Sequence, residues 1–471
     1  MGNAASAQDV ALPSAAGATT LTPPPATRPC RVGQIGVRQR DSTIRPVAED
    51  PVKKIKKFLK ILGPGFVTGA ADDDPSGIGT YSQTGAQFGY TQLWTALFSF
   101  PFMVVVQEMC GRIGLVTGHG LSNVIRTNYS KKVLFSCVGL LFIANTVNIG
   151  ADLGAMAATG QLLVGAPFLV WLLAITALTL FLEIRVPYPS YARLLKYLGL
   201  SLFAYIIVAF IVKQPWQHIA IETIVPKFTL SKVYLLNIVA ILGTTISPYL
   251  FFWEADQEAE EDILQHRVRR YGKGIPKLQA GDVKEMRVDN LIGMLFSNVV
   301  MFFIIVTTAS TLGAHGIKSI TTADQAAEAL RPLAGNFTYF LFAVGIIGIG
   351  LLAVPVLAGS ASGALMEAVG WKSGLGLKFK QAHAFYITIA LATLLGGSLN
   401  FVGIKPFQML YYTAILNGVV APPLMIMLMR ISNNKGIMGK HTSGRFSNVM
   451  GWTITIIMGV CAIALLFTMV H

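Results

Sequence analysis

Charge is scarce in this sequence. Only 13% of its 471 residues are Asp, Glu, Lys or Arg, while 53% are hydrophobic. A soluble domain carries about twice that charged share, so a single water-soluble globule is excluded. Cysteine is nearly absent as well. Cys30, Cys110, Cys137 and Cys461 are scattered with no CxxC pair, which argues against a disulfide framework or a zinc site. No alternating ten-residue pattern marks a membrane β-barrel. No HExxH or nucleophile–base motif points to an intramembrane enzyme, and no P-loop points to nucleotide as an energy source. No cofactor is expected. The first residues lack the continuous apolar core of a secretory signal.

What is present is a series of apolar segments of about 20 residues, long enough to cross a hydrocarbon core of ~30 Å. Eleven spans are expected, near 58–86, 90–113, 132–159, 165–184, 192–212, 233–261, 288–311, 334–360, 382–400, 406–430 and 448–470. Ahead of them, residues 1–52 are rich in Ala, Pro, Thr, Ser and Arg and read as a disordered cytoplasmic tail. The run Lys53, Lys54, Lys56, Lys57, Lys60 reads as an anchor at anionic headgroups. The expected organisation is a first set of five helices over 53–215, a second set over 231–430, and an extra helix over 448–471.

The net charge of +14 does not imply nucleic acid, because the basic residues form no single patch. They alternate in density from loop to loop. The densest loop holds Arg267, Arg269, Arg270, Lys273, Lys277, Lys284 and Arg287. Loops of the opposite set hold only Lys213, Lys227, Lys232, Lys318, Arg331 and Lys405. Excess Lys and Arg mark the cytoplasmic side. The expected topology is therefore a multi-pass inner-membrane protein with its N-terminus inside and its C-terminus outside. Its partners are the lipid bilayer and a transported solute, and a monomer is expected.

Two spans are interrupted. The first carries Asp72-Asp73-Asp74-Pro75-Ser76-Gly77 in its middle, and the sixth carries Gly243-Thr244-Thr245-Ile246-Ser247-Pro248-Tyr249. Proline lacks the backbone donor and clashes with the preceding turn. In lipid, the carbonyls so freed need a partner, and a bound cation is one. Breaks at matching positions of two halves point to a midplane site between inverted repeats. A carboxylate at mid-membrane costs ~3 kcal/mol or more unless it is paired, protonated or hydrated. Asp74, immediately before Pro75, is the leading ligand candidate. Asp72 and Asp73 are expected to face a water-filled vestibule or to be solvated at a helix end.

These residues carry a family resemblance. Gly63-Pro64-Gly65-Phe66, Asp74-Pro75, Gly85-Ala86-Gln87-Phe88-Gly89-Tyr90 and Leu93-Trp94 resemble the opening of the NRAMP divalent-metal transporters, and Gln107, Arg112, Gly114 and Val116-Thr117-Gly118 continue it. The resemblance implies an all-α LeuT-like fold of five plus five helices with helices 1 and 6 broken. It implies a metal site at Asp74, Gly77, Thr244 (through its carbonyl) and Ser247. It also departs from the family pattern. Gly77 stands where the family has an asparagine ligand, Ser247 where it has a methionine, and Tyr249 and Glu254 where it has histidines. Asn148 and Ala151 stand where the third helix has an acidic pair associated with protons, while Asp152 sits one residue off and is expected to point elsewhere. An oxygen-only site suits hard ions such as Mg2+ and Mn2+. The pattern resembles the NRAMP-related magnesium branch, which implies transport of Mg2+ or Mn2+ without protons; the alternatives are a proton-coupled Mn2+/Fe2+ transporter and a LeuT-fold transporter of a different small solute. An anionic solute is disfavoured beside Asp72, Asp73 and Asp74.

Among the other polar residues, Glu254 and Glu258 share one helical face, and with Asp256 they either line a cation funnel or pair with the basic loop at Arg267 to Arg270. Glu108 is expected to pair with Arg112 at i+4. Glu183 is expected to pair with Arg185, and Asn417 to hydrogen-bond between helices.

Overall fold

The computed structural model describes residues 64–186, 200–229, 231–268 and 276–470. All of them lie in the second of two compact units, Ile55–His471. The N-terminal tail, the lysine anchor, Gly63, the start of the fifth span, and Arg269, Arg270 and Lys273 fall outside the described residues.

The described chain is helical. The first span is two pieces, α1 (Pro64–Asp72) and α2 (Pro75–Phe88). Then come α3 (Trp94–Thr117), the short α4 (Leu121–Asn128), α5 (Lys131–Val164), α6 (Phe168–Arg185), α7 (Phe203–Ile211) and the short α8 (Trp216–Ile224). The sixth span is again two pieces, α9 (Lys232–Thr245) and α10 (Pro248–Leu264). After α11 (Asp282–Thr311) there are two short helices, α12 (Ala323–Ala327) and α13 (Arg331–Ala334). The chain continues with α14 (Thr338–Val369), α15 (His383–Ser398), α16 (Pro406–Ser432), the short α17 (Lys435–Met438) and α18 (Arg445–Val470).

Nine helical stretches among the described residues are long and apolar enough to cross a membrane, by length and composition. Two of the eleven expected spans are not among them. The first is divided into pieces of 9 and 14 residues, each too short alone, and the fifth begins outside the described residues.

The two broken spans lie at the centre. The apolar window through α9 and α10 is 89% buried, against 33% for α18 at the periphery. α11 packs on α1, α2 and α3, α5 packs on α14, α15 and α16, and α9 packs on α16. Small residues permit these crossings, as in other membrane helix pairs. A Cβ on Gly69 would stand 2.2 Å from the carbonyl oxygen of Gly293, so α1 and α11 touch backbone to backbone. Gly243 of α9 meets Ala414 and Gly418 of α16 in the same way. The outer helices turn apolar side chains outward, among them Phe446, Val449, Ile456 and Val460 of α18. A lipid solvent allows this, since exposing them to water would be unfavourable.

Candidate functional site

Each break starts from a proline. In a continuous helix, the amide of residue 75 would bond the carbonyl of Ala71, and that of residue 248 the carbonyl of Thr244. Pro75 and Pro248 have no such amide. Both freed carbonyls are met by hydroxyls from the second break. The Tyr249 hydroxyl donates to the Ala71 carbonyl at 2.9 Å, and the Ser247 hydroxyl donates to the Thr244 carbonyl at 2.7 Å and the Gly243 carbonyl at 2.9 Å. Asp74 caps α2 with extended backbone, φ −59° and ψ 170°.

The carboxylate of Asp74 is buried and fully engaged. Its Oδ1 accepts from the Ser76 hydroxyl at 2.6 Å and the Gly77 amide at 2.7 Å, and its Oδ2 accepts from Asn148 of α5 at 2.8 Å. Gly77 lies against the other break: a Cβ there would come within 3.2 Å of both the Asp72 carbonyl oxygen and the Thr244 hydroxyl. The structure thus brings together Asp74, Gly77, Thr244, Ser247, Tyr249 and Asn148. All of their polar atoms are oxygen or amide nitrogen, and the donors available to a cation are oxygens. Among the described residues, no group of three or more His, Cys, Asp or Glu side chains is placed to hold a metal ion.

Asp72 and Asp73 differ from expectation. Neither faces an open vestibule; both are wholly buried. Ser297 of α11 donates toward both, at 2.7 Å to Asp72 and 3.2 Å to Asp73. The glycine-mediated contact of α1 with α11 encloses them. One oxygen of each, Asp72 Oδ1 and Asp73 Oδ2, has no hydrogen-bond partner.

Asp152 also departs from expectation. It does not point away from the break. It is wholly buried and lies within electrostatic reach of Asp74 and Tyr249. Asn148 and Asp152 are four residues apart and so share one helical face. That i, i+4 spacing was the signal available in the sequence. Ser297, by contrast, is one serine in a long apolar helix and carried no signal.

Farther along α10, Glu254 accepts a hydrogen bond from Thr68 of α1. Asp256 lies beside Gly120 and Gly363, toward the helix after α3 and toward α14. Arg267 pairs with Asp262 and Asp282, each at 3.1 Å, and not with Glu254 or Glu258. Glu108 does pair with Arg112, at 3.0 Å, and takes Arg287 as well at 2.8 Å. Glu183 does not pair with Arg185: its carboxylate is buried with both oxygens unpartnered among the described residues, and Arg185 is exposed. Two residues apart on a helix, the side chains project in different directions. Asn417 is buried with its amide nitrogen unpartnered, so that group makes no interhelical bond.

Residues 65–468 match the family described as Natural resistance-associated macrophage protein-like. The chain belongs to the Nramp family. It is similar to a divalent metal cation transporter of Clostridium acetobutylicum, 24% identical over 450 residues and covering 89% of this chain and 94% of that one. A divalent metal cation transporter of Bacillus subtilis is likewise 24% identical, with 89% and 94% covered. Among solved structures, a manganese transporter of Eremococcus coleocola, bound to an aromatic bis-isothiourea compound, superposes with a TM-score of 0.67 at 19% identity, covering 89% of each chain. Mhp1, a nucleobase-cation-symport-1 family transporter, superposes at 0.55 with 11% identity, covering 86% of this chain and 90% of that one. At these identities the superpositions speak to the fold alone. The Nramp chain is an all-α, multi-pass membrane protein that shares the fold of these two transporters.

Proposed function

We propose that this chain is a secondary transporter of hard divalent metal ions, Mn2+ and Mg2+, with its substrate site where the two broken helices meet. It is a transporter and not an enzyme, and the metal ion is its cargo and not a cofactor. The observation that carries this reading is the pairing of two proline-freed carbonyls, Ala71 and Thr244, beside the buried carboxylate of Asp74. Oxygen donors favour hard ions, and Mg2+ in particular keeps several waters when bound. The relatives named as divalent metal cation transporters and the solved manganese transporter support the metal, and support Mn2+ most directly.

The finer reading places α1 to α7 and α9 to α16 as two inverted five-helix repeats, with the N-terminus cytoplasmic and the C-terminus outside an inner membrane. The Lys and Arg asymmetry of the loops supports this orientation. A divalent ion crossing 100 mV gains roughly 4.6 kcal/mol, twice the ~2.3 per charge, enough to drive uptake without protons. Asn148 and Ala151 in place of an acidic pair support that uncoupled mode. Proton-coupled transport is the second reading, favoured by Asp152 standing at the break.

The test is uptake of Mn2+, Mg2+ and Ca2+ into proteoliposomes carrying an internal pH dye. Uptake of Mn2+ and Mg2+ with no acidification is expected; acidification that tracks the ion replaces the uncoupled mode with the coupled one. Asp74→Ala is expected to abolish flux in a protein that still folds, and wild-type flux in that variant would remove the site.

A further inference from the structure

Four carboxylates are buried around the break in the first span: Asp72, Asp73, Asp74 and Asp152. They differ in what their oxygens do. Asp74 accepts three hydrogen bonds, while Asp72 and Asp73 share the Ser297 hydroxyl and each keep one oxygen free. Asp152 is the exception: neither of its oxygens accepts a hydrogen bond of ordinary geometry. The Asp74 carboxylate and the Ser76 amide are its polar neighbours.

Its place follows from helix geometry. Asn148 bonds Asp74 directly, and Asp152 is one turn farther along the same face of α5. Another face of α5 is taken elsewhere, where Gly150 packs on Gly396 of α15. The Asn148–Asp152 face is the one turned to the start of α2. Asp152 therefore approaches the break from α5, whereas Asp72 and Asp73 are held by α11.

A carboxylate in a low-dielectric interior with no ordinary hydrogen bond is unfavourable unless it is protonated, hydrated or bound by a cation. Asp74 is already oriented by three donors, while neither oxygen of Asp152 is held by an ordinary hydrogen bond. We propose that Asp152 is a ligand of the transported divalent ion, direct or through one water, on the α2 side of the break and opposite the Thr244 carbonyl. This inference rests on the transport site proposed above and names a residue of it that the family resemblance does not supply. With Asp74 it gives the site two monoanionic oxygen donors, a match for a doubly charged ion and a poor one for a singly charged ion.

The experiment is calorimetric titration of Mn2+ into the purified full chain in lipid nanodiscs, with thermal unfolding measured with and without Mn2+. Asp152→Asn is expected to weaken Mn2+ binding at least tenfold. It is also expected to melt no lower than wild type in the absence of metal, since the carboxylate has no ordinary hydrogen bond to lose, and to lose most of the Mn2+-induced rise in Tm. Wild-type affinity in Asp152→Asn together with lost binding in Asp74→Ala would overturn the role of Asp152 and leave the site standing. Wild-type affinity in both variants would remove the site and the inference with it. A metal-free Tm well below wild type would mark Asp152 as structural and overturn the proposal. Should Asp152→Asn not fold, Asp152→Glu keeps the charge and displaces the carboxylate by one methylene; an unchanged Mn2+ affinity there would equally overturn it.

Discussion

The hydroxyl of Tyr249 stands 2.9 Å from the carbonyl oxygen of Ala71, joining the start of α10 to the end of α1. The bond exists because Pro75 cannot supply the amide that would otherwise fill that carbonyl. Tyr249 is in turn fixed from behind, since its own carbonyl accepts from Ser360 of α14 at 2.9 Å. Tyr249→Phe keeps the ring and leaves the Ala71 carbonyl buried without this donor, at a cost of about 1–3 kcal/mol. The variant is expected to fold and to melt lower than wild type in detergent. An unchanged Tm would show that the bond contributes nothing to holding the two breaks together.

The Ser247 hydroxyl bonds the Gly243 and Thr244 carbonyls, beside the proposed ion. Ser247→Met removes both bonds and places a thioether, a soft donor, near the site. Cd2+ binding in a calorimetric titration is expected to tighten by about tenfold, roughly 1.4 kcal/mol, while Mg2+ binding does not. A Cd2+ response equal to wild type would place position 247 away from the ion.

The α1–α11 contact is made by backbone at Gly69 and Gly293. An added Cβ at either residue has no room, and overpacking of this kind costs about 1–3 kcal/mol. Gly69→Leu is therefore expected to separate the helices and expose Asp72 and Asp73, which Ser297 holds by hydrogen bonds across that contact. Lower thermal stability together with lost uptake is the expected outcome; normal uptake would mean that α1 and α11 already part during transport.

Arg112 is buried and tied in several directions. It pairs with Glu108, donates to the Ser443 hydroxyl at 2.9 Å, and donates to the His441 carbonyl. It thereby anchors the segment before α18 to α3. Removing one partner of a buried ion pair costs about 3–5 kcal/mol, although Arg287 also reaches Glu108, from a more exposed position, and softens the loss. Arg112→Ala is expected to speed limited proteolysis between residues 433 and 445, a range of the chain that includes α17. Unchanged cleavage there would show that the segment is held by other contacts.

The sequence by itself determined the membrane class, the places where two spans break, and the chemistry offered there. Hydropathy depends on composition over about 20 residues, and a proline's missing amide is a property of the residue wherever it sits. Pro75, Pro248 and Asp74 were legible for that reason, as was the i, i+4 pair of Glu108 and Arg112. Only the tertiary structure decided which way the other polar groups turn. Asp152 faces the break because α5 is rotated to place Asn148 on Asp74, while Gly150 lets α5 approach α15 on another side. Asp72 and Asp73 are enclosed because Gly69 and Gly293 let α11 come close. Glu183 is buried while Arg185, two residues on, is exposed. A helix offers every azimuth to its neighbours, and the contact that selects one is made by residues far away in the chain.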